Sequence, residues 1–507
     1  MNTLQYLVAE RAEISPQHEA LVEHNERYTF NEFHEKVNQL SHYFLEKGIQ
    51  KGDRIGVLAH TSIAYPVVTM GILQVGAVVV PLSKNMTPYE LDSIITSGQL
   101  KAIIHHNEFT SVLEKAEQTD GLSFTLKIED AKEFTTQFSA YNTNTPEALP
   151  EVLPEVLPED LALMMFTSGT TGKSKGCMIA HGSVSAFLNS GGQEERANID
   201  KNMRYLFVHP FFHMSSMSIL FMCINTGNTM VCSEETDPAK VIEVIEKENI
   251  KMLFALPPAL KYIVEELEKG DHYDFPLKLA VSGGTKVSES LIEQYDRNGM
   301  ILAQGYGSTE AWIISSWHPQ MGWKKVSSAG KPAPHVEVKI VDPETRQEVP
   351  TGEKGEVLVR SPYLFKGYWQ NEEATNAVLQ DGWLAMGDAG RLDEDGFLYI
   401  EGRYKDVIVY GGDNIYPDQV EEVVLAADGV LEATVVGMPD DVYGEVPYAF
   451  VVKQEASALT EEDVVNFCKE RLAPYKVPTV VFVSSLPKNS VGKVLKNEVK
   501  KQALAHA

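Results

Sequence analysis

The run Thr167-Ser168-Gly169-Thr170-Thr171-Gly172-Lys173-Ser174-Lys175-Gly176 is the part of the chain best equipped to hold an anion. Its small residues let the backbone come close to a phosphate, its N–H groups and hydroxyls supply donors, and Lys175 supplies charge. The fragment Gly172-Lys173-Ser174 imitates the end of a Walker A loop, but that spacing requires glycine at position 167, where Thr167 stands. A P-loop NTPase is therefore disfavoured. Taken by itself, a polar glycine-rich turn after a strand is as readily a structural feature as a phosphate cradle.

The elements around this loop read as alternating helix and strand. Leu161–Phe166 is an apolar, buried strand that runs into it. Upstream, Asn31 can cap a helix whose apolar residues Phe33, Val37, Leu40 and Phe44 keep helical spacing up to Gly48. Strands are expected at Arg54–Ala59, Ala77–Leu82 and Lys101–His105, and Thr87-Pro88-Tyr89-Glu90 is a capping box with proline at the first helical position. Such alternation predicts an α/β fold with a buried parallel sheet between helices. Residues 149–160 contain the repeat LPEV-LPEV-LPED, whose prolines and glutamates predict an extended, wet linker. From Gly330 to Ile400 short strands between Gly, Pro and Asp turns predict a small β-subdomain. After Gly402 the pattern is that of a small α+β domain, with helices over Tyr416–Ala426 and Glu461–Leu472 and strands over Ala433–Gly437, Tyr448–Val452 and Pro478–Val483.

The chain has 507 residues, enough for several domains at roughly 100–200 residues each. Lys+Arg number 44 against 71 Asp+Glu, a net charge of −27, which disfavours general binding to nucleic acid or to anionic lipid. Any anionic ligand must be held by a local site. Four scattered cysteines exclude a disulfide scaffold or a zinc ribbon. The first residues lack the pattern of a signal peptide, and the apolar stretch Pro66–Leu82 is broken by Gly71, Gln74 and Gly76, so no membrane span is expected. The expected location is cytoplasmic.

Further blocks follow the loop in order: Gln304-Gly305-Tyr306-Gly307-Ser308-Thr309-Glu310; Gly387-Asp388; Gly402-Arg403-Tyr404-Lys405-Asp406; Gly411-Gly412-Asp413-Asn414-Ile415-Tyr416-Pro417; and Pro487-Lys488-Asn489-Ser490-Val491-Gly492-Lys493. Alone, Asp388 reads as a turn residue, Arg403 as a surface charge and Lys493 as one cation of a basic terminal helix. Together, over nearly the whole chain, the blocks resemble the adenylate-forming superfamily of acyl-CoA synthetases, luciferases and peptide-synthetase adenylation domains. The resemblance implies two domains, 1–402 for ATP and acid and a mobile 403–507. In such enzymes a carboxylate attacks the α-phosphate of ATP, pyrophosphate leaves, and the acyl-adenylate then reacts with a thiol.

The resemblance also implies roles. Thr167, Ser168, Gly169, Thr170, Thr171 and Lys175 would hold the β- and γ-phosphates; Glu310 would bind Mg²⁺, and Thr309 would donate to the α-phosphate. Tyr306, with Gly305, would stack on adenine beside Gly283-Gly284. Asp388 would accept from both ribose hydroxyls with Arg403 nearby, and Lys493 would bridge the attacking carboxylate and the α-phosphate. The small domain would swing about Lys405 and exchange Lys493 for Gly411-Gly412, which would line a pantetheine channel. His213, in His209-Pro210-Phe211-Phe212-His213, would stand at the mouth of the acyl tunnel, and one of the two phenylalanines belongs to the core. Lys173-Ser174-Lys175 in place of Lys-Pro-Lys, Ser308 and Met386 depart from the common pattern without removing a charged group.

The expected activity is that of an ATP-dependent carboxylic acid–CoA ligase, with ATP, Mg²⁺ and coenzyme A. The alternatives are an acyl-AMP ligase that loads a carrier protein and a silent nucleotide-binding sensor. No carrier-protein domain is expected after Lys493. The partner is a small-molecule carboxylic acid, with no nucleic acid and no integral membrane association; the oligomeric state is open. Met214, Ser215 and Ser216 stand where amino-acid-activating members carry an aspartate, which disfavours an α-amino acid. Unpaired hydroxyls of Ser215, Ser216 and Ser308, with Trp312 adding bulk, would oppose a long saturated chain. The opposite reading, that these hydroxyls bond to backbone and say nothing about substrate, is equally open.

Overall fold

The computed structural model describes residues 2–128, 134, 137–139, 153–167, 174–190, 203–270, 275–410, 413–440, 442–454, 457–489 and 492–506. They pack as two units, residues 1–337 with 359–384, and residues 338–358 with 385–507.

The first unit is built on two large sheets. One has seven strands in the order Gly367–Tyr368, Lys175–Ala180, Leu161–Thr167, Val78–Pro81, Arg54–Leu58, Leu100–His106, Phe124–Ile128. The other has nine, in the order Lys331–Pro332, Trp312–Trp317, Ile301–Ser308, Leu279–Gly283, Met252–Phe254, Arg204–Phe207, Thr229–Cys232, Glu19–Glu23, Glu26–Thr29. The middle strands of both pair in parallel; antiparallel pairs close both edges of the nine-stranded sheet, whereas the seven-stranded sheet is antiparallel at the Gly367–Tyr368 edge and parallel at the Phe124–Ile128 edge. This is the α/β architecture expected. Val78–Pro81 is buried along its whole length, as a strand covered on both faces must be.

Two local expectations change. Helix Phe30–Glu46 is capped by Thr29, not Asn31: Thr29 is extended and exchanges bonds with Glu32 in a full capping box, while Asn31 only reaches Glu35 across one turn. The end of the LPEV segment is also less wet than its glutamates imply. Val156 is buried, Gln5 Nε2 donates to the Pro154 carbonyl at 2.8 Å, and Lys51 Nζ reaches the Glu155 carbonyl and the Asp160 carboxylate at 2.9 and 2.6 Å. Residues 149–152 lie outside the described part.

The second unit holds, from residue 385 onward, the strand that ends at Leu392 and its antiparallel partner Leu398–Arg403, and a separate sheet of Asp413–Ile415, Ile408–Tyr410, Gly444–Lys453, Val430–Asp440 and Thr479–Phe482. Helices Pro417–Leu425 and Glu461–Lys469 cover the latter. Their shared core is Ile408, Ile415, Val420, Val424, Val435, Ala449, Val451, Val464 and Cys468. Among the described residues no helix is long and apolar enough to cross a membrane. All four cysteines are buried and unbridged.

Candidate active site

The two feet of the phosphate-type loop are adjacent. Leu161–Thr167 returns as the antiparallel strand Lys175–Ala180, with Thr167 opposite Lys175. A Walker A loop opens a helix instead, so the hairpin agrees with setting the P-loop reading aside. Ser168, Gly169, Thr170 and Thr171 lie outside the described residues. The Lys175 ammonium sits 5.0 Å from the centre of the Tyr368 ring, a cation–π contact. Tyr368 comes from the two-residue strand that extends the same sheet, opposite Cys177. Its hydroxyl donates to Glu310 Oε1 at 2.9 Å.

Glu310 reaches this place from the other sheet. Leu279–Gly283 and Ile301–Ser308 run parallel, with Gly283 opposite Gly305. A Cβ on Gly283 would lie 2.8 Å from the Gly305 carbonyl oxygen, so the close approach requires glycine. That register brings Gly283 against Gly305, with Gly284 and Tyr306 following in their strands' continuation. The chain then turns tightly through Thr309 and Glu310 into Trp312–Trp317. Here a Cβ on Gly307 would meet the Trp312 carbonyl oxygen at 1.8 Å, and Trp312 adopts φ 60°. A tryptophan held in the left-handed region is strained, and its surroundings must impose it. Its buried indole packs against Phe187 at 4.9 Å, and Phe187 packs against Tyr363 at 5.9 Å. The Phe365 N–H donates to the Glu310 carbonyl at 2.8 Å, which ties the turn to the segment carrying Tyr368.

His213 precedes the helix Met214–Thr226 without a side-chain capping bond. Its ring stacks on His209 at 4.2 Å and lies 4.4 Å from Phe212. Burial pushes His213 down to about 4 and His209, which also feels His213, down to about 3. Both imidazoles are therefore neutral at pH 7. Phe211 is the core residue of its pair. It is 1 % exposed and stacks between Tyr65 at 4.8 Å and Phe207 at 5.0 Å.

The hydroxyl argument against a long chain loses its footing for two of its three serines. Ser216 donates to the His209 carbonyl at 3.1 Å, and Ser308 accepts from the Ala311 N–H at 3.2 Å. A hydroxyl already bonded to backbone carries a smaller desolvation penalty against an alkyl tail than an unpaired one.

In the second unit Asp388 and Arg403 face each other across an antiparallel pair, with Arg403 Nε 3.1 Å from Asp388 Oδ1. The aspartate is only 4 % exposed. Lys405 lies in the short turn Tyr404–Asp406, and Gly411 and Gly412 fall outside the described residues. Lys493 is exposed at the end of a tight turn, its N–H bonded to Asn489 Oδ1 and its carbonyl to the Asn489 N–H, both at 2.8 Å.

Among the described residues no three His, Cys, Asp or Glu side chains converge as a metal cage. Glu310 is a single carboxylate that shares Tyr368 with Lys175. That donor set suits Mg²⁺, which keeps waters and takes one or two carboxylates plus substrate phosphates. Sequence reasoning missed Tyr368. Its only signal was its place after Gly367, one tyrosine among 20.

The family model for the AMP-binding enzyme matches residues 8–369, and that for the AMP-binding enzyme C-terminal domain matches residues 419–493. A Bacillus subtilis (strain 168) protein with the provisional name acyl–CoA ligase YdaB is 45 % identical over 505 residues, covering 99 % of this chain and 100 % of its own. A 2-succinylbenzoate–CoA ligase of Bacillus cereus is 31 % identical over 507 residues, covering 99 % and 98 %. Among solved structures, the o-succinylbenzoate CoA synthetase MenE of Bacillus subtilis superimposes with TM-score 0.87 in complex with the acyl-adenylate OSB-AMP, at 28 % identity and 98 % coverage of both chains. The same protein with ATP and a magnesium ion gives TM-score 0.86 at 29 % identity, covering 97 % and 99 %.

Proposed function

Because the chain belongs to the AMP-binding enzyme family, we propose that its loop, hairpin and C-terminal residues divide between them the two half-reactions of acid activation. The protein is an ATP-dependent carboxylic acid–CoA ligase of the AMP-forming type. The acid displaces pyrophosphate from ATP to give an acyl-adenylate, and CoA then displaces AMP to give the thioester.

The observation that carries the assignment of residues is the meeting of Lys175 and Glu310 around Tyr368, one from each sheet. Lys175 and the loop from Thr167 bind the β- and γ-phosphates, and Thr309 donates to the α-phosphate. Glu310 holds Mg²⁺, which when bound neutralises charge on phosphate oxygens. Tyr306 and the Gly283-Gly284 turn receive adenine, and Asp388 with Arg403 receives the ribose. Lys493 offsets the repulsion between the attacking carboxylate and the α-phosphate. Residues 403–507 possess an apolar core of their own, which supports their turning as a body about Lys405 so that Gly411-Gly412 replaces Lys493 for the second half-reaction. Neutral His209 and His213 and serines bonded to backbone favour an acid with an apolar or aromatic tail. Four buried thiols suit a reducing compartment, the cytoplasm.

The test is pyrophosphate release over a panel of aromatic, medium-chain and long-chain acids, with CoA, with an acyl carrier protein, and with neither. A thioester on CoA for at least one acid is expected. Absence of pyrophosphate with every acid, or transfer only to the carrier, refutes the reading.

A further inference from the structure

The segment 365–369 fastens the Glu310 turn to the strand that begins at Lys175. Along that strand the Lys366 N–H donates to the Met178 carbonyl at 2.8 Å and the Trp369 N–H to the Gly176 carbonyl at 2.7 Å; from the other direction the Phe365 N–H holds the Glu310 carbonyl at 2.8 Å. Between them Tyr368 is fixed at backbone and ring. Its N–H donates to Thr375 Oγ1 at 2.9 Å, and that hydroxyl in turn donates to the Asn371 carbonyl at 2.8 Å. The residue is 9 % exposed, and its ring meets Phe365 edge-on at 5.0 Å. A side chain so constrained presents one hydroxyl in one place.

We infer that Tyr368 is the positioning residue for the nucleotide–metal end of the site: its hydroxyl orients the Glu310 carboxylate and its ring face seats the Lys175 ammonium. The inference rests on Glu310 being the metal-holding carboxylate. With Oε1 accepting from the phenol, Glu310 keeps Oε2 for a cation, and the carboxylate does not have to be immobilised when Mg·ATP arrives. Tyr368 donates no proton to the reacting atoms and forms no bond to substrate.

The test compares Tyr368→Phe, which keeps the ring over Lys175, with Tyr368→Leu, which removes both functions, and with Glu310→Ala. Calorimetry measures binding of ATP to the non-turning-over protein with and without Mg²⁺. Tyr368→Phe should weaken Mg·ATP about 10- to 150-fold, the scale of one hydrogen bond to a charged group. Metal-free ATP should change less than twofold. Tyr368→Leu should also weaken metal-free ATP, because Lys175 loses its seat. In kinetics, pyrophosphate exchange should need more Mg²⁺ in Tyr368→Phe, while thioester formation from supplied acyl-AMP holds within twofold. In a Glu310→Ala background, Tyr368→Phe should have no further effect on Mg·ATP. Equal weakening of ATP with and without Mg²⁺ in Tyr368→Phe, or an undiminished effect in the Glu310→Ala background, overturns the inference. If Glu310→Ala itself leaves Mg·ATP binding unchanged, the underlying assignment of Glu310 fails instead.

Discussion

Replacing Asp388 by alanine should injure both half-reactions, because ATP and acyl-AMP carry the same ribose. A buried carboxylate that accepts from two hydroxyls forms two charge-assisted hydrogen bonds, each worth about 1.5–3 kcal/mol. Asp388 is 4 % exposed, so little water stands ready to take its place, yet alanine leaves room for some. The expected loss is therefore near the lower bound of the sum, about 3 kcal/mol, or roughly 150-fold in the affinity for ATP. The fold should survive, since the Arg403 left behind is 40 % exposed and its guanidinium can be solvated by water. The assay measures KM for ATP in pyrophosphate exchange and KM for acyl-AMP in thioester formation, each with the ribo- and the 2′-deoxynucleotide. The native protein should lose about tenfold on 2′-deoxy-ATP. The Asp388→Ala protein should hardly distinguish the two. An unchanged penalty for the missing hydroxyl in Asp388→Ala would refute the ribose assignment, whatever the loss of activity.

Lys493→Ala should lower acyl-AMP formation by several orders of magnitude and leave thioester formation from supplied acyl-AMP within a few-fold; equal loss in both sinks the two-pose account. Phe211→Ala should cost about 3–5 kcal/mol in urea unfolding by emptying the stack between Tyr65 and Phe207, whereas Phe212→Ala should mainly change acid preference; the reverse pattern would show that the gate and core residues have been interchanged. Burial depresses His106, His181 and His213 to about 4, so between pH 6.5 and 4 the unfolded chain binds protons that the folded one does not. Their contribution is complete above pH 6.5 and falls with pH, by on the order of 2 kcal/mol per group at pH 5; a urea midpoint that stays level from pH 7.5 to 5 contradicts this.

The sequence revealed what depends on residue type and order. Lys175, Glu310, Asp388 and Lys493 stand out because each is a charged group in a distinctive block. The capping box at Thr87 was legible because both its bonds form within four residues. Direction was not legible. Whether Ser308 faces a ligand or the Ala311 N–H depends on the strained turn that Gly307 and Trp312 create. Nor was Tyr368 legible, because its partners lie 58 and 193 positions away and its strand is two residues long. The cap at Thr29 is legible in the same local way, from Thr29-x-x-Glu32, two residues before the competing Asn31.

The second unit is not one stretch of chain: residues 338–358 and 385–402 pack with 403–507. Lys354 lies 3.2 Å from the ring centre of Tyr416, and the strand Leu398–Arg403 lies just before the turn at Lys405. Exchanging C-terminal segments between relatives at position 402 would therefore join a foreign Tyr416 to a native Lys354. Hybrids cut there inherit a mismatched seam, and those that also carry 338–358 and 385–402 from the same parent should be the ones that retain turnover. A lineage that acquires a new C-terminal segment by recombination is under the same constraint, so changes at positions 354 and 416 should travel together.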